Sequence, residues 1–174
     1  LSLAPGTNLF VSPDGQWLGD YVPSVFRGYP FRLARGGPKK EMLLCVDEDS
    51  GLISADKTSG EPFFDGNGEL SKSVKDVLQF LSQVEKNRKA TDAAVAVLAD
   101  AGLIVEWSLK IRLGDREEPV TGLYRIDEAK LNALEAEPFL KLRTALPIAY
   151  AQMLSMGHIM GLEKMSEKQN RWKA

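Results

Sequence analysis

The hydrophobic positions of residues 71–100 recur at the spacing of an α-helix. Five aliphatic side chains fall three or four residues apart, and Ser71, just before them, is a typical helix N-cap. A second helical pattern begins near Thr91 and ends at Gly102, because glycine is a common C-terminal stop. The pattern predicts either two helices or one continuous helix near 71–100. The five aliphatic residues are Val74, Val77, Leu78, Leu81 and Val84.

Apolar and polar side chains alternate through residues 103–113 except at Ile104, which is the pattern of a half-buried β-strand. The polar stretch 114–119 predicts a turn, and the apolar residues that follow predict a second strand ending at 126. A short turn joins strands that run antiparallel. We therefore expect 103–113 to pair with 119–126 and the sheet to be mainly antiparallel.

The first third of the chain shows shorter patterns. Residues 12–15 combine Pro and Gly at turn positions and predict a β-hairpin. Pro and Gly recur through 22–40, which predicts a short helical turn and then an ordered loop rather than a long element. Residues 41–47 have the apolar density of a buried strand.

The last third of the chain predicts three further helices. Asp127 is placed to cap the first, Pro138 lies at the start of the second, and Pro147 opens a longer apolar helix over 147–164. The final polar residues are expected to fray. The whole pattern predicts an α+β fold, in which a mainly antiparallel sheet packs with several helices, including those near 71–100 and 147–164.

The length and the net charge of the chain limit the classes of protein to which it can belong. A chain of 174 residues with 44% hydrophobic residues predicts a single domain over 1–174. The net charge of −2 gives no reason to expect nucleic-acid binding, and no apolar run is long enough to span a membrane. One cysteine cannot form an internal disulfide. Because the chain starts at Leu1 without methionine, we expect that an N-terminal segment of the full-length protein is missing.

The acidic run 47–49 is the stretch that most resembles a catalytic or metal site. In an extended chain Asp47 and Asp49 would point to one side and Glu48 to the other. Neither this run nor Asp65, Asn67 and Glu69 has the spacing of a calcium loop. We therefore favour a solvated strand end and expect no metal site.

Single residues give little support for catalysis. His158, the only histidine, lies in an apolar segment and is read as a core or interface residue, and Cys45 is read as an inert thiol. No nucleotide-binding, metalloprotease or serine-hydrolase motif occurs. We expect no cofactor and no catalytic residues, although an enzyme that uses Asp47, Asp49 and His158 stays open as the alternative.

Arginines and aromatic residues alternate in the segment 26–32. Arg27, Tyr29 and Arg32 are residue types that contribute much of the energy of many interfaces, and Pro30 and Gly28 would present them with little ordering cost. With Asp47 and Asp49 they form our predicted binding residues, and Phe26 and Phe31 are expected to anchor the segment in the core. The alternative is that these aromatics belong simply to the core. A stripe at Met153, Met156, Met160 and Met165 is read as packing or as the seam of a possible homo-oligomer.

Five segments in this order resemble the bacterial SapC family over almost the whole chain. They are "NLFVSPDGQWLGDYVPSVFRGYPFRLA", "LLCVDEDSGLIS", "GEPFFDGNGE", "TGLYRIDEAKLNAL" and "LPIAYAQMLSMGHI". The family is named for an association with a bacterial surface layer, and its relatives are often encoded near flavin-dependent halogenase-like proteins and TonB-dependent receptors. The resemblance implies a bacterial protein, cytoplasmic or associated with the cell envelope, but it supplies no catalytic residues to carry over and leaves the mechanism open.

Two classes of function follow. The first is a non-catalytic accessory protein that binds a peptide or protein partner through 26–32 and 47–49, because constrained aromatics are present and a catalytic set is absent. The second is an oxygenase-like or hydrolytic enzyme with an Asp/His site. We expect the first.

Overall fold

The computed structural model describes residues 2, 8–36, 41–56, 59–113 and 116–173. Within these residues every β-strand pairs antiparallel with one other strand, and helices account for most of the regular structure. The predicted α+β fold is confirmed, with the strands in three two-stranded sheets. The elements are α1 Ser24–Arg27, β1 Phe31–Gly36, β2 Glu41–Val46, a 3₁₀ helix Glu48–Ser50, α2 Lys72–Asp100, β3 Ile104–Glu106, β4 Leu109–Leu113, β5 Arg116–Val120, β6 Tyr124–Ile126, α3 Glu128–Asn132, α4 Ala136–Lys141, α5 Leu146–Met156 and α6 Ile159–Lys173.

The chain groups into two compact units. The hairpin unit is Tyr21–Lys89, and the core unit combines Leu1–Asp20 with Ala90–Ala174. The expectation of a single domain over 1–174, with an N-terminal segment missing, stays a prediction.

The hairpin unit is built on the pair β1 and β2, in register from Phe31 opposite Val46 to Gly36 opposite Glu41. The prediction of a loop after the helical turn is wrong for β1, because Pro30 and Gly36 lie at the ends of the strand and leave its interior free to pair. The strand predicted at 41–47 is present as β2, but Met42 and Leu43 are 38% and 46% exposed. A lone pair of strands does not bury both of its faces.

The core unit contains a hydrophobic cluster built from the end of α2, β6 and the helices that follow it. Strand β6 packs on α5, and the side-chain oxygen of Gln152 accepts the backbone N–H of Ile126 at 3.1 Å. Asp127 caps α3, as predicted, by accepting the N–H of Lys130. The buried members of the cluster are Leu98, Leu103, Ile126, Leu131, Leu142, Ala145 and Ala149.

Helix α2 is continuous, so Thr91 does not cap a second helix and the single-helix alternative is the correct one. Its N-cap is Ser71, as predicted, whose hydroxyl accepts the N–H of Val74. At the C-terminal end Gly102 has φ +66°, Leu103 N–H bonds to Leu98 O, and Gly102 N–H bonds to Ala99 O. This is the Schellman arrangement, and it brings the two buried leucines Leu98 and Leu103 together where the helix ends.

The strand predicted over 103–113 is divided into β3 and β4. Two residues separate β3 from β4, whereas three separate β5 from β6, so the returning strand carries one extra residue. Gly122, at φ +78°, lies within that extra segment, as is usual for a β-bulge. The antiparallel return is confirmed, but the predicted turn was too long, because residues 116–119 already belong to β5.

The C-terminal helix predicted over 147–164 ends earlier and then resumes. Helix α5 stops at Gly157, and α6 continues to Lys173, so the prediction that the polar end frays is wrong. Gln169 of α6 is buried and donates its side-chain N–H to Val11 O at 2.7 Å. That bond holds the predicted N-terminal hairpin, in which Val11 pairs with Trp17 around a turn at Ser12 to Gly15.

Candidate binding site on the hairpin unit

All five predicted binding residues lie in the hairpin unit, and four of them lie at one end of the β1–β2 pair. The Tyr29–Pro30 peptide bond is cis, and Pro30 O accepts the backbone N–H of Asp47 at 2.9 Å. This bond adds one further rung to the ladder beyond Phe31 and Val46. Tyr29 and Asp47 are therefore neighbours although 18 residues separate them in the sequence.

The Tyr29 hydroxyl donates to a carboxylate oxygen of Asp47 at 3.4 Å. Tyr29 is 51% exposed, so the ring is partly covered while part of it stays accessible. That partial desolvation raises the pKa of Tyr29, the nearby negative charge and hydrogen bond of Asp47 raise it further, and a hydrogen bond with Ser50 opposes them. The phenol is thus a neutral hydrogen-bonding group beside a carboxylate at physiological pH.

Asp47 also determines the shape of the acidic run. Its side chain accepts the N–H of Asp49 and caps the 3₁₀ helix Glu48–Ser50, which ends at Gly51 with φ +73°. The chain is therefore not extended through 47–49, and the expectation based on strand alternation does not apply there. The carboxyl-bearing residues Asp47, Glu48 and Asp49 are all exposed.

Arg27 and Arg32 are held in different ways. Arg27, the last residue of α1, places its guanidinium 4.7 Å from the centre of the Phe80 ring of α2. Arg32 lies in β1 opposite Cys45 and is exposed. Among the described residues no salt bridge joins Arg27 or Arg32 to a carboxylate. Both arginines are exposed.

The segment 26–32 is anchored by other residues than expected. Phe31 packs against Phe63 with ring centres 5.4 Å apart, but Phe26 is 45% exposed, so the prediction that Phe26 is an anchor is wrong. Gly28 takes that role. It is buried, and a Cβ atom there would lie 2.6 Å from a methyl group of Leu81. A side chain at position 28 would therefore force the Leu81 side chain of α2 to move.

The alternative of a metal-dependent Asp/His enzyme finds no ligand set in the described part of the chain. No three His, Cys, Asp or Glu side chains there are grouped closely enough to hold a metal ion. His158 belongs to the core unit and is exposed between α5 and α6, so it is not a core residue, and the interface alternative stays a prediction. Cys45 is half-buried, with its sulfur 3.8 Å from Leu43 O.

Sequence reasoning missed one concave surface, which lies in the core unit. It is an open depression of about 400 Å³ lined by Glu106, Trp107, Ser108, Arg125 and Met156. The depression lies at the bulge, where Trp107 and Ser108 separate β3 from β4. The alternation of 103–113 gave no signal for it, because Trp107 and Ser108 both fit that pattern.

Comparison with known proteins identifies the family of the chain but no individual relative. The model of the SapC family matches residues 1–162. A search of the curated proteins found no match, and neither did a search of the solved structures. In the described part of the chain, no helix has the length and apolar character needed to cross a membrane.

Proposed function

We propose that this chain, which belongs to the SapC family, is a non-catalytic accessory protein that binds a peptide or protein partner. The proposed contact is the Tyr29 surface, which we define as Arg27, Tyr29, Arg32, Asp47 and Asp49. A bacterial origin and a link to a surface layer, or to halogenase and TonB-receptor gene neighbourhoods, belong to this proposal as well.

The observation that carries the proposal is the amount of apolar surface that the hairpin unit leaves in water. Aromatic residues and methionine are more frequent at protein interfaces than on the rest of the protein surface. Tyr29 is one of nine large hydrophobic residues of the hairpin unit that are exposed. They are Tyr21, Val22, Val25, Phe26, Tyr29, Met42, Leu43, Leu52 and Phe64.

The charges of the hairpin unit suggest what kind of partner would fit. Residues 27–40 contain five basic residues and no acidic one, whereas residues 47–69 contain seven acidic residues and one lysine. The Tyr29 surface lies where the two stretches meet, since β1 carries Arg32 and the end of β2 leads into Asp47. A partner segment with aromatic or aliphatic anchors and charges of both signs would complement it.

The proposal is tested with a displayed library of random peptides selected on the purified chain. Enriched peptides are then titrated by calorimetry against the wild type and against Tyr29→Ala and Arg32→Glu. We expect each variant to weaken binding at least about tenfold, the loss typical of an interface hot spot. Tyr124→Ala is the matched control, because Tyr124 is a tyrosine of the core unit with 61% exposure.

Arg27→Ala separates recognition from a structural role. The contact with Phe80 is an exposed cation–π pair, so its loss should lower the free energy of unfolding by about 0.5–1 kcal/mol. Binding of the selected peptide should weaken more than that. A thermal melt that falls by the equivalent of about 2 kcal/mol or more would make Arg27 structural, and peptides that bind all variants alike would refute the Tyr29 surface.

A further inference from the structure

Helix α5 has apolar residues on every face, and its only polar residues are Gln152 and Ser155. Residues 144–162, which include it, contain no Asp, Glu, Lys or Arg. One face of the helix belongs to the hydrophobic cluster, where Ala149 is fully buried and Gln152 binds the backbone of Ile126. A helix with apolar residues on every face is normally buried on all sides. We therefore expect another surface to cover the face of α5 that points away from the hydrophobic cluster.

That opposite face is exposed. Tyr150 and Leu154, one helical turn apart, are 47% and 77% exposed, and small or cyclic residues beside them are exposed as well. We call this face the α5 stripe and define it as Pro147, Tyr150, Ala151, Leu154 and Ser155. It differs from the methionine stripe predicted from the sequence, since Met153 packs against the hydrophobic cluster.

We propose that the α5 stripe is the centre of a symmetric contact between two copies of this chain, with the two α5 helices antiparallel. A two-fold contact sets a surface against itself, so a charged surface would repel its own copy. The α5 stripe carries no charge that could do so. Antiparallel helices also place each N-terminal dipole beside the C-terminal dipole of the other copy.

The side chains of the α5 stripe suit such a pairing in shape. The large residues Tyr150 and Leu154 alternate with the small residues Ala151 and Ser155. With the two-fold axis near residue 152, Tyr150 of one copy would lie against Leu154 of the other, and the small residues would let the helices approach closely. The expected contact is therefore interdigitated rather than flat.

The size of the α5 stripe sets the expected strength of the pairing. A stable interface buries about 800 Å² on each partner, whereas an 11-residue helix is about 16 Å long and covers only part of that area. We expect a concentration-dependent dimer, not an obligate one. A lipid surface fits less well, because interfacial helices carry Lys or Arg along the apolar face and α5 has none.

Sedimentation equilibrium of the purified chain across about 1–500 µM tests the proposal, with a dimer of micromolar Kd expected. Leu154→Glu should weaken the dimer at least about tenfold, because each new carboxylate would be desolvated against Tyr150 of the other copy. An equimolar mixture of Leu154→Glu and Tyr150→Lys should restore association, because the two new charges would face each other across the contact. Leu140→Glu is the matched control, since Leu140 lies on α4 and is 67% exposed. Ala151→Glu serves as a second variant of the α5 stripe if Leu154→Glu loses its native circular dichroism.

Three results would overturn the proposal. The chain could remain monomeric over the whole range, the wild-type dimer could persist in both charged variants of the α5 stripe, or Leu140→Glu could disrupt it equally. Binding to vesicles of neutral and anionic lipids that Leu154→Glu abolishes, without any dimer in solution, would assign the α5 stripe to a membrane instead. None of these results depends on the Tyr29 surface, which lies in the other unit.

Discussion

The core unit and the hairpin unit differ in how far their hydrophobic residues are buried. Eight of the nine buried hydrophobic residues of the described chain belong to the core unit, and Val74 is the one in the hairpin unit. The hairpin unit instead exposes nine large hydrophobic residues over a shorter length of chain. Burial of apolar surface is the main favourable term in folding. We therefore expect buried apolar surface to stabilise the core unit more than the hairpin unit.

The contrast has a structural cause. In the core unit, helices α3 to α5 follow the strand β6 and surround Leu98 and Leu103, so several elements share one interior. The hairpin unit has a single pair of strands, and its tight contacts join isolated pairs of residues, such as Gly28 against Leu81 and Phe31 against Phe63. We infer that the core unit supplies most of the stability.

The largest expected effect is the loss of a leucine from the core unit. Leu103→Ala should lower the free energy of unfolding by about 2–5 kcal/mol, because Leu103 is fully buried and the substitution leaves a cavity. Leu52→Ala in the hairpin unit should cost less than about 1 kcal/mol, since Leu52 is 65% exposed. Urea unfolding followed by circular dichroism measures both changes.

Tryptophan fluorescence sharpens this comparison because all three tryptophans, at positions 17, 107 and 172, belong to the core unit. Leu103→Ala should move the fluorescence transition to lower urea concentration. Equal losses in the free energy of unfolding for Leu103→Ala and Leu52→Ala would contradict the inference that the core unit supplies most of the stability.

A smaller effect is expected where the hairpin unit is tightly packed. Gly28→Ala would place a Cβ atom against the Leu81 side chain, which must then move, and should cost about 1 kcal/mol. Gly66→Ala is the matched control, because a Cβ atom there has no neighbour within 4 Å. Hydrogen exchange of the amides of β1 and β2 should become several-fold faster in Gly28→Ala alone. If exchange is unchanged, the contact with Leu81 does not restrain the hairpin.

The smallest effect concerns the ionisation of Tyr29. The pKa of Tyr29 is raised above its ordinary value of about 10, first by partial desolvation and then by Asp47. We expect Asp47→Asn to lower that pKa in part, because the desolvation remains. The measurement is the alkaline titration of phenolate absorbance, taken as the difference between each protein and the same protein with Tyr29→Phe. An unchanged difference titration in Asp47→Asn would show that the two side chains do not interact in solution.

The raised pKa of Tyr29 also determines the direction in which the free energy of unfolding changes with pH. A group whose pKa is higher in the folded protein holds its proton more tightly there, so its contribution is complete below the unfolded pKa of about 10. The contribution is then lost as the pH rises through the folded pKa. Tyr29 should therefore add no pH dependence to stability between pH 5 and 8, and Tyr29→Phe should make the hairpin unit less sensitive to alkali.

The sequence alone predicted the features that depend on neighbours along the chain. The helical spacing from Val74 to Val84, the cap at Ser71, the glycine stop at Gly102 and the cap at Asp127 each involve groups within a few residues. The α+β class and the antiparallel return near 119–126 follow from the same short-range patterns. Periodicity and capping are local, so local sequence is enough to identify them.

Only the tertiary structure determined which apolar residues are buried. The sequence does not distinguish Leu43, which is 46% exposed, from Leu103, which is fully buried, because both lie in apolar segments of strand-like pattern. The contact of Tyr29 with Asp47, the approach of Gly28 to Leu81 and the bond of Gln169 to Val11 likewise join residues far apart in the chain. Burial and such contacts depend on which elements pack together, and no pattern within a single element specifies that.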